Sequence, residues 1–258
     1  MSNFIYAEPR AYDLAFSYRD YAQEVSELTG WYQEISSSNQ LPEPVLELAC
    51  GPARHLLEFS RSGIRGRGID TSDDMCSYAN SLARAGHLDP CVEFADMVAF
   101  ELGEKFDLIL LNSVSHILDA QSLHSHFQSV NAHLRNHGVY IVESSRPDPA
   151  DLYGEHVWRE DDPSGSVSVT WRCEPGREHA HIAGMVNGAS IDINDDFPMR
   201  RWATRELLAI SRDAGLAFRG HYGDFSHDMA EEGLSETEKL RGSCELHPCF
   251  VFSKSSNE

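Results

Sequence analysis

Apolar and polar positions fall into three rhythms along the chain. In residues 1–40, Phe16, Tyr21, Val25, Leu28, Trp31 and Ile35 recur at helical spacing, which predicts one or two helices ending before the polar, proline-containing stretch SSSNQLPEP. From Val45 onward, short strand-sized runs alternate with helical stretches. Val45–Ala49, Gly66–Asp70, Val92–Ala95, Phe106–Leu111 and Gly138–Glu143 read as five strands. Between them lie a helix opening after Gly51 with Leu56, Leu57 and Phe59 toward the sheet, a helix over Asp73–Ala85 with Ser72 or Asp73 as N-cap, and a helix over Ala120–Arg135. Such alternation implies an α/β fold with a doubly wound parallel sheet. After Arg146 the rhythm breaks: Ser166–Cys173 and His179–Val186 alternate like exposed strands around Glu174-Pro-Gly176, an antiparallel hairpin. Thr204–Ala214 returns to helix with Thr204 as cap and Gly215 as stop, and Ala217–Tyr222 and Pro248–Lys254 supply two last strands.

The first strand ends in an acidic and small-residue turn, VLELACGPAR, and the second, GRGID, ends in the carboxylate of Asp70. A tight turn after strand one brings backbone close to a ligand, and a carboxylate after strand two can accept hydrogen bonds from two ribose hydroxyls. The pattern builds a nucleoside crevice at the carboxyl edge of a parallel sheet. Asn112-Ser113-Val114-Ser115-His116 follows the fourth strand at the same edge.

Bulk properties narrow the partners. A chain of 258 residues with 41% hydrophobic content fills one large domain or a core with a modest insertion. Its longest apolar runs are far short of a membrane span, and the N-terminal stretch has no secretory pattern. Six cysteines without regular spacing read as reduced thiols of a cytoplasmic protein. A net charge of −20 disfavours nucleic acid and anionic membranes; it either keeps the protein soluble or favours a cationic or amine substrate. No metal is expected: Cys244-Glu-Leu-His247-Pro-Cys249 lacks the four ligands of a zinc site, and His124 and His126 do not share a helix face.

Glu47-Leu-Ala-Cys-Gly51-Pro-Ala-Arg54-His55, Asp70, Ala95-Asp96-Met97 and Phe106-Asp-Leu-Ile-Leu-Leu-Asn112-Ser113 together resemble class I S-adenosylmethionine-dependent methyltransferases, from about Tyr12 to about Lys254. The resemblance implies a seven-stranded, mostly parallel sheet and S-adenosyl-L-methionine as cofactor. It divides the chain into an N-terminal helical lid (1–40), a Rossmann-like cofactor-binding core (41–146), a small antiparallel β insertion (147–200) and a C-terminal completion of the sheet (201–258). It further implies that Ala49 and Gly51 place backbone near the methionyl part of the cofactor, that Asp70 and Thr71 hold the ribose, and that Met75 packs on the adenine. Asp96 and the Met97 backbone would meet the adenine edge, and Leu111 or Leu110 would present a carbonyl to the cofactor amino group. Arg54 would form an ion pair or reach the cofactor carboxylate. Tyr12, Tyr18 and Tyr21 resemble a lid whose hydroxyls bind the methionyl carboxylate and whose faces stabilise a sulfonium. One departure is Ala53, where the family usually has glycine; alanine disfavours positive φ and close approach, which alters affinity or pose.

The Asn112–His116 stretch resembles that of glycine and aminosugar N-methyltransferases. His116 is the natural proton acceptor there, Asn112 and Ser113 position the acceptor, and Glu143 and Arg146 border the substrate. The leading expectation is therefore methyl transfer to an amine or hydroxyl of a small metabolite. Two alternatives stand beside it: cyclisation of the cofactor with release of methylthioadenosine, in the manner of azetidine-2-carboxylate synthases, and a non-catalytic cofactor-binding protein. The 166–186 hairpin can add to the sheet edge of a second copy, which allows a homodimer.

Overall fold

The computed structural model describes residues 5–89, 91–144, 153–223 and 248–255. A 3-10 turn, Ile5–Ala7, leads into α1 (Pro9–Ala15) and α2 (Tyr21–Ser36). The alternating region follows as β1 (Val45–Leu48), α3 (Arg54–Arg61), β2 (Gly66–Asp70), α4 (Asp73–Ala85), β3 (Cys91–Phe94), β4 (Phe106–Leu111), α5 (Ala120–His133) and β5 (Leu134–Glu143). Four strands form the next block: β6 (Gly154–Asp162), β7 (Gly165–Glu174), β8 (Arg177–Val186) and β9 (Ala189–Pro198). Helix α6 (Thr204–Asp213), β10 (Leu216–Gly223) and β11 (Pro248–Lys254) complete the described chain.

Seven strands make one sheet in the order β10-β11-β5-β4-β1-β2-β3. Strands β1 to β5 run parallel, and β11 is antiparallel to both β5 and β10. Because side chains alternate along a strand, neighbouring residues serve opposite faces. Leu46, Leu48, Ile109, Leu111, Tyr140 and Val142 pack with α5 and α6 through Phe127, Val130 and Leu207. Val45, Leu108, Leu110, Val139 and Ile141 pack on the other side with Trp31, Leu56 and Ala79. Both faces being covered, these strands read as nearly unbroken apolar runs. Chain order reverses between β1 and β4, so their carboxyl ends open a crevice at that switch point.

Most boundaries lie where the apolar rhythm puts them. Ser72 is the N-cap of α4, its hydroxyl accepting from Met75 N at 3.2 Å. The third strand is shifted one residue, ending at Phe94 rather than Ala95. The fifth begins at Leu134, four residues early, because the chain is already extended there (φ −74°, ψ 142°) directly after α5. Thr204 is not the cap of α6: extended Ala203 holds that position with no side-chain cap bond, and Thr204 is already in the first turn. Gly215 does stop the helix, at φ +84°.

The second sheet is larger than a hairpin. Its order is β6-β7-β8-β9, all antiparallel, with Gly176 (φ +78°) in the turn between β7 and β8. The flanking strands GEHVWREDD and ASIDINDDFP are rich in charge, which hides their strand character from an apolar reading. One face of this sheet, with Val167, Val169, Ile182 and Ile193, packs on Ile5, Ala11 and Leu14 of the N-terminal segment. Ile5 N donates to Asp195 Oδ2 at 3.0 Å and Trp158 Nε1 donates to Ala15 O at 2.7 Å, so the N-terminal segment and the second sheet are joined. Among the described residues no helix is long and apolar enough to cross a membrane.

Gly68 in β2 is the tightest point under the crevice. A Cβ there would lie 2.7 Å from Cys50 Sγ, 2.9 Å from a Leu56 methyl and 3.1 Å from a Val92 methyl. Gly68→Ala should cost about 1–3 kcal/mol through overpacking and push on the turn at Cys50. A urea midpoint unchanged from the parent would contradict this packing.

Candidate functional site

The crevice is built first by an unusual turn. Within five residues, Ala49 (φ +47°), Gly51 (φ +50°) and Ala53 (φ +56°) all enter the left-handed region. Glycine does so freely; an alanine pays roughly 1–2 kcal/mol. The expectation that Ala53 would avoid positive φ is therefore corrected: it adopts that conformation as the N-cap of α3. Backbone bonds hold the turn, with Ala53 N donating to Cys50 O at 2.8 Å and Cys50 N to Ile69 O at 3.0 Å. At Gly51 a Cβ would meet only a Tyr12 ring carbon, at 3.9 Å, so within the protein it is φ rather than crowding that calls for glycine.

Asp70 braces the same turn. Its Oδ2 accepts from Gly51 N at 2.8 Å and its Oδ1 from Ser72 N at 2.9 Å. Burial raises its pKa, against the pull of these backbone N–H groups. A carboxylate offers about four lone-pair sites; the Thr71 N–H also acts on this one, and the remaining acceptor capacity is left for donors such as ribose hydroxyls. Thr71 is exposed beside it, and Met75 lies wholly buried in the first turn of α4.

After β3, Asp96 is exposed and its Oδ1 accepts from Val98 N at 2.8 Å, closing a short turn that carries Met97. The Met97 carbonyl accepts from His126 Nδ1 at 2.7 Å, and the other His126 nitrogen lies 2.8 Å from the Tyr140 hydroxyl. Since a carbonyl only accepts, the proton is on Nδ1 and Tyr140 donates to Nε2. Burial lowers the His126 pKa to about 4, keeping it neutral. This support, from α5 and β5, is not visible in the residue spacing; its one signal is a histidine on the apolar face next to Phe127 and Val130.

The other wall comes from the N-terminal segment. Tyr12 is half-buried beside Gly51, its ring 5.6 Å from Tyr6 and 4.7 Å from Phe16, and burial pushes its pKa up to about 12. Tyr21 lies edge-on to His55 at 5.1 Å, whereas Tyr18 is 61% exposed. Both phenols of α1 and α2 nearest the turn thus remain protonated donors. Arg54 is engaged in two hydrogen bonds by Asp13, which also accepts from the Tyr78 hydroxyl at 2.7 Å, so its guanidinium is held in an ion pair.

Beyond Leu111 at the end of β4, Asn112 and Ser113 are half-buried and Ser113 caps the 3-10 turn Val114–His116. Three bonds from the segment after β9 fix that turn. Arg200 N donates to Ser115 O at 2.8 Å, Arg200 Nη1 to Leu118 O at 3.1 Å, and Trp202 Nε1 to Ile117 O at 3.0 Å. The His116 ring has an open edge but sits 5.8 Å from Phe197, and the protein packed round it lowers its pKa below the ordinary value. It is neutral near pH 7 and able to accept a proton. Glu143 ends β5, where its charge acts on Tyr18 and Arg19. Arg146 lies outside the described residues. Among the described residues, no group of three or more His, Cys, Asp or Glu side chains is placed to hold a metal.

Residues 45–138 match the model of a methyltransferase domain. A Streptomyces venezuelae dTDP-3-amino-3,4,6-trideoxy-alpha-D-glucopyranose N,N-dimethyltransferase is 30% identical over 136 residues, 51% of this chain and 54% of the relative. The chain thus spans about half the length of the curated relatives it matches. In structure it is similar to DesVI of Streptomyces venezuelae (TM-score 0.76, 21% identity, 95% of this chain and 97% of the other). It is also similar to an S-adenosylmethionine-dependent methyltransferase of Clostridium acetobutylicum (TM-score 0.73, 18% identity, 95% and 96% covered). These likenesses establish the class I methyltransferase fold.

A chain of charges links α2 to β1 and α3, and two of its members, Arg19 and Glu24, are absent from the residues singled out by spacing. His55 Nδ1 lies 2.8 Å from Glu47 Oε1 on β1, and Nε2 lies 2.7 Å from Glu24 Oε2 on α2. Arg19 adds two bonds to Glu24, at 2.9 and 2.7 Å, and Asn112 Nδ2 lies 3.4 Å from Glu47 Oε1. The imidazole is 2% exposed. Burial alone would lower its pKa, but Glu47 and Glu24 outweigh burial and raise it to about 9. His55 is therefore a buried imidazolium at neutral pH. Glu47 and His55 belong to the turn motif itself, so the family pattern contained the signal; Arg19 and Glu24 did not stand out.

This linkage has a definite sign. A histidine whose folded pKa exceeds its unfolded 6.5 contributes stability that is complete below pH 6.5 and lost as pH rises through about 9. Stability should fall by up to about 3 kcal/mol across that window, with Glu24, Glu47, Arg19 and Tyr21 the groups facing the ring. His55→Gln should flatten the slope between pH 6.5 and 9. Thermal midpoints across that range that are equally steep in parent and variant would refute the assignment.

Proposed function

We propose that this protein transfers a methyl group from S-adenosylmethionine to the amine of a small metabolite. The observation that carries the reading is the shared edge of β2 and β4. Asp70, bonded to Gly51 N and Ser72 N with lone pairs to spare, stands at the end of one strand. Neutral His116 stands beyond the end of the other. The names of the relatives support an amine on a sugar as the acceptor class.

The donor set fits the cofactor. Asp70 can accept both ribose hydroxyls, the Asp96–Met97 turn offers a carboxylate and backbone to a base edge, and the left-handed turn at Gly51 allows close backbone approach. Protonated Tyr12 and Tyr21 can donate to a carboxylate, and the backbone carbonyl of Leu111 or Leu110 at the end of β4 would accept from the cofactor amino group. When bound, S-adenosylmethionine supplies a methyl group on a sulfonium whose departure leaves a neutral thioether. Displacement needs an aligned nucleophile and little else, so positioning and water exclusion dominate. Asn112 and Ser113 orient the acceptor, and the lid rings exclude water. An ammonium has no lone pair, so its proton must leave before attack; His116 Nε2 or Nδ1 is free to take it because the ring is neutral. The reading includes Glu143 and Arg146 as acceptor contacts. It also includes a cytoplasmic setting, supported by free Cys50, Cys76, Cys91 and Cys173, and pairing of two copies; because β7 and β8 of the expected 166–186 hairpin lie inside the second sheet, the edges open to a second copy are β6 and β9.

Asp70→Asn should weaken cofactor binding about tenfold or more by calorimetry, since it replaces a double acceptor with a mixed group. His116→Gln should lower kcat by roughly a hundredfold and move the acidic limb of the pH profile, leaving cofactor affinity unchanged. The enzyme incubated with S-adenosylmethionine and a panel of primary and secondary amines, amino sugars included, should yield S-adenosylhomocysteine and a methylated amine. Methylthioadenosine in place of S-adenosylhomocysteine, or no turnover across the panel, would overturn the reading.

A further inference from the structure

The aromatic side chains of this protein divide into two kinds. Trp31, Trp202, Phe59, Phe106 and Phe127 are wholly buried in the core. Another set is only partly buried and forms one continuous arc. Tyr12 lies 4.7 Å from Phe16, Phe16 5.8 Å from Trp171, Trp171 5.6 Å from Phe197, and Phe197 5.8 Å from His116. Trp158 fills the inner side, 6.0 Å from Phe16 and 6.4 Å from Trp171. The arc starts at the Gly51 turn and ends at the reacting histidine. It draws rings from α1, from three strands of the second sheet and from the loop after β4.

Two features show that its faces are prepared for a ligand. First, both indole N–H groups are already used: Trp158 donates to Ala15 O at 2.7 Å and Trp171 to Glu178 Oε2 at 2.8 Å. The rings are locked in place and make no further hydrogen-bond demand. Glu178 is in turn paired with Arg201, 2.8 Å away and buried, so the carboxylate behind Trp171 is balanced. Second, a carboxylate stands at the mouth: Glu160, two residues along β6 from Trp158, accepts from the Ser17 hydroxyl at 3.3 Å, and the Tyr18 ring lies 6.3 Å from Trp158. Aromatic faces bounded by a carboxylate suit a cation that carries methyl or methylene groups. A continuous, half-exposed apolar surface that runs into a reacting centre marks a ligand wall rather than core.

Resting on the methyl-transfer reading, we infer that this arc is the acceptor site and that it takes a substituted alkylammonium, holding the methylated amine by its ring faces through Trp171 and Phe197. Bond changes then balance simply. The amine, deprotonated by His116, forms a C–N bond as the C–S bond breaks, and the cationic product stays against the rings until release. A tertiary ammonium that has given its proton to His116 is methylated to a quaternary cation with no proton left to lose, the form the wall suits best.

The test uses the full chain saturated with S-adenosylhomocysteine, titrated calorimetrically with choline and with its uncharged carbon isostere, 3,3-dimethylbutan-1-ol. Choline should bind roughly tenfold more tightly than the isostere. Trp171→Leu and Phe197→Leu should each remove most of that preference, while Val157→Ser, on the opposite face of the second sheet, should leave it intact. Affinity for S-adenosylhomocysteine should stay within about twofold in every variant, which also reports that each is folded. Equal binding of the two probes, or a preference untouched in both ring variants, overturns the inference while the cofactor reading stands. Failure of the parent to bind S-adenosylhomocysteine overturns both.

Discussion

The site depends on a histidine held between two carboxylates from elements far apart in sequence. Glu47 comes from the first strand of the sheet, Glu24 from α2, and His55 from the first turn of α3. Without that imidazolium, two buried carboxylates would face each other across the space one hydrogen-bonded ring fills. With it, α2 is tied to the strand whose end makes the cofactor turn. Since α1, which supplies Tyr12 and Phe16, is joined to α2 by a short link and to the second sheet by Trp158, the whole ligand wall inherits its position from this contact.

Stability by itself is a poor account of such a cluster. Removing charges from water costs several kcal/mol per ion, and apolar replacements of buried ion groups are often neutral or stabilising. Glu47 Oε2 has no hydrogen-bond partner among the described residues, so the cluster is not even fully satisfied. What the charges supply is direction. An apolar contact between α2 and α3 tolerates sliding, whereas an imidazole bonded at both nitrogens fixes distance and rotation together. Arg19, bonded twice to Glu24, adds a second fixed angle at the lid's edge.

The sheet was legible because period-two and period-3.6 apolar spacing leave few alternatives once strands and helices alternate. Even the strand that carries Asp70 and the cap at Ser72 follow from local residues. The second sheet was half legible. Val169 and Ile182 alternate with polar partners, but β6 and β9 are interrupted by acidic side chains, and their pairing is decided by neighbours rather than by their own pattern. Within the site, residues on the motif turn were readable one by one. Partners brought in from elsewhere were not: His126 behind Met97, Trp202 behind the His116 turn, and Glu24 behind His55 each act across more than twenty-five residues. Spacing cannot report a contact that the topology makes.

Local rules fail in this chain mainly at one edge. Alanines at left-handed φ, a buried imidazolium and a carboxyl whose pKa burial raises all gather at the ends of β1 and β2. Each is unfavourable taken singly, and strain persists only where surrounding structure over-determines it. Here the over-determination is visible. The strained turn is bonded through Cys50 N to β2 and through Gly51 N to Asp70, and the charged cluster is enclosed by α2 and α3. The β3 edge strand and the outer face of the second sheet carry no such concentration. Conformational cost and buried charge thus coincide with the crevice, which is where a fold must hold backbone N–H groups and a carboxylate in place before any ligand arrives.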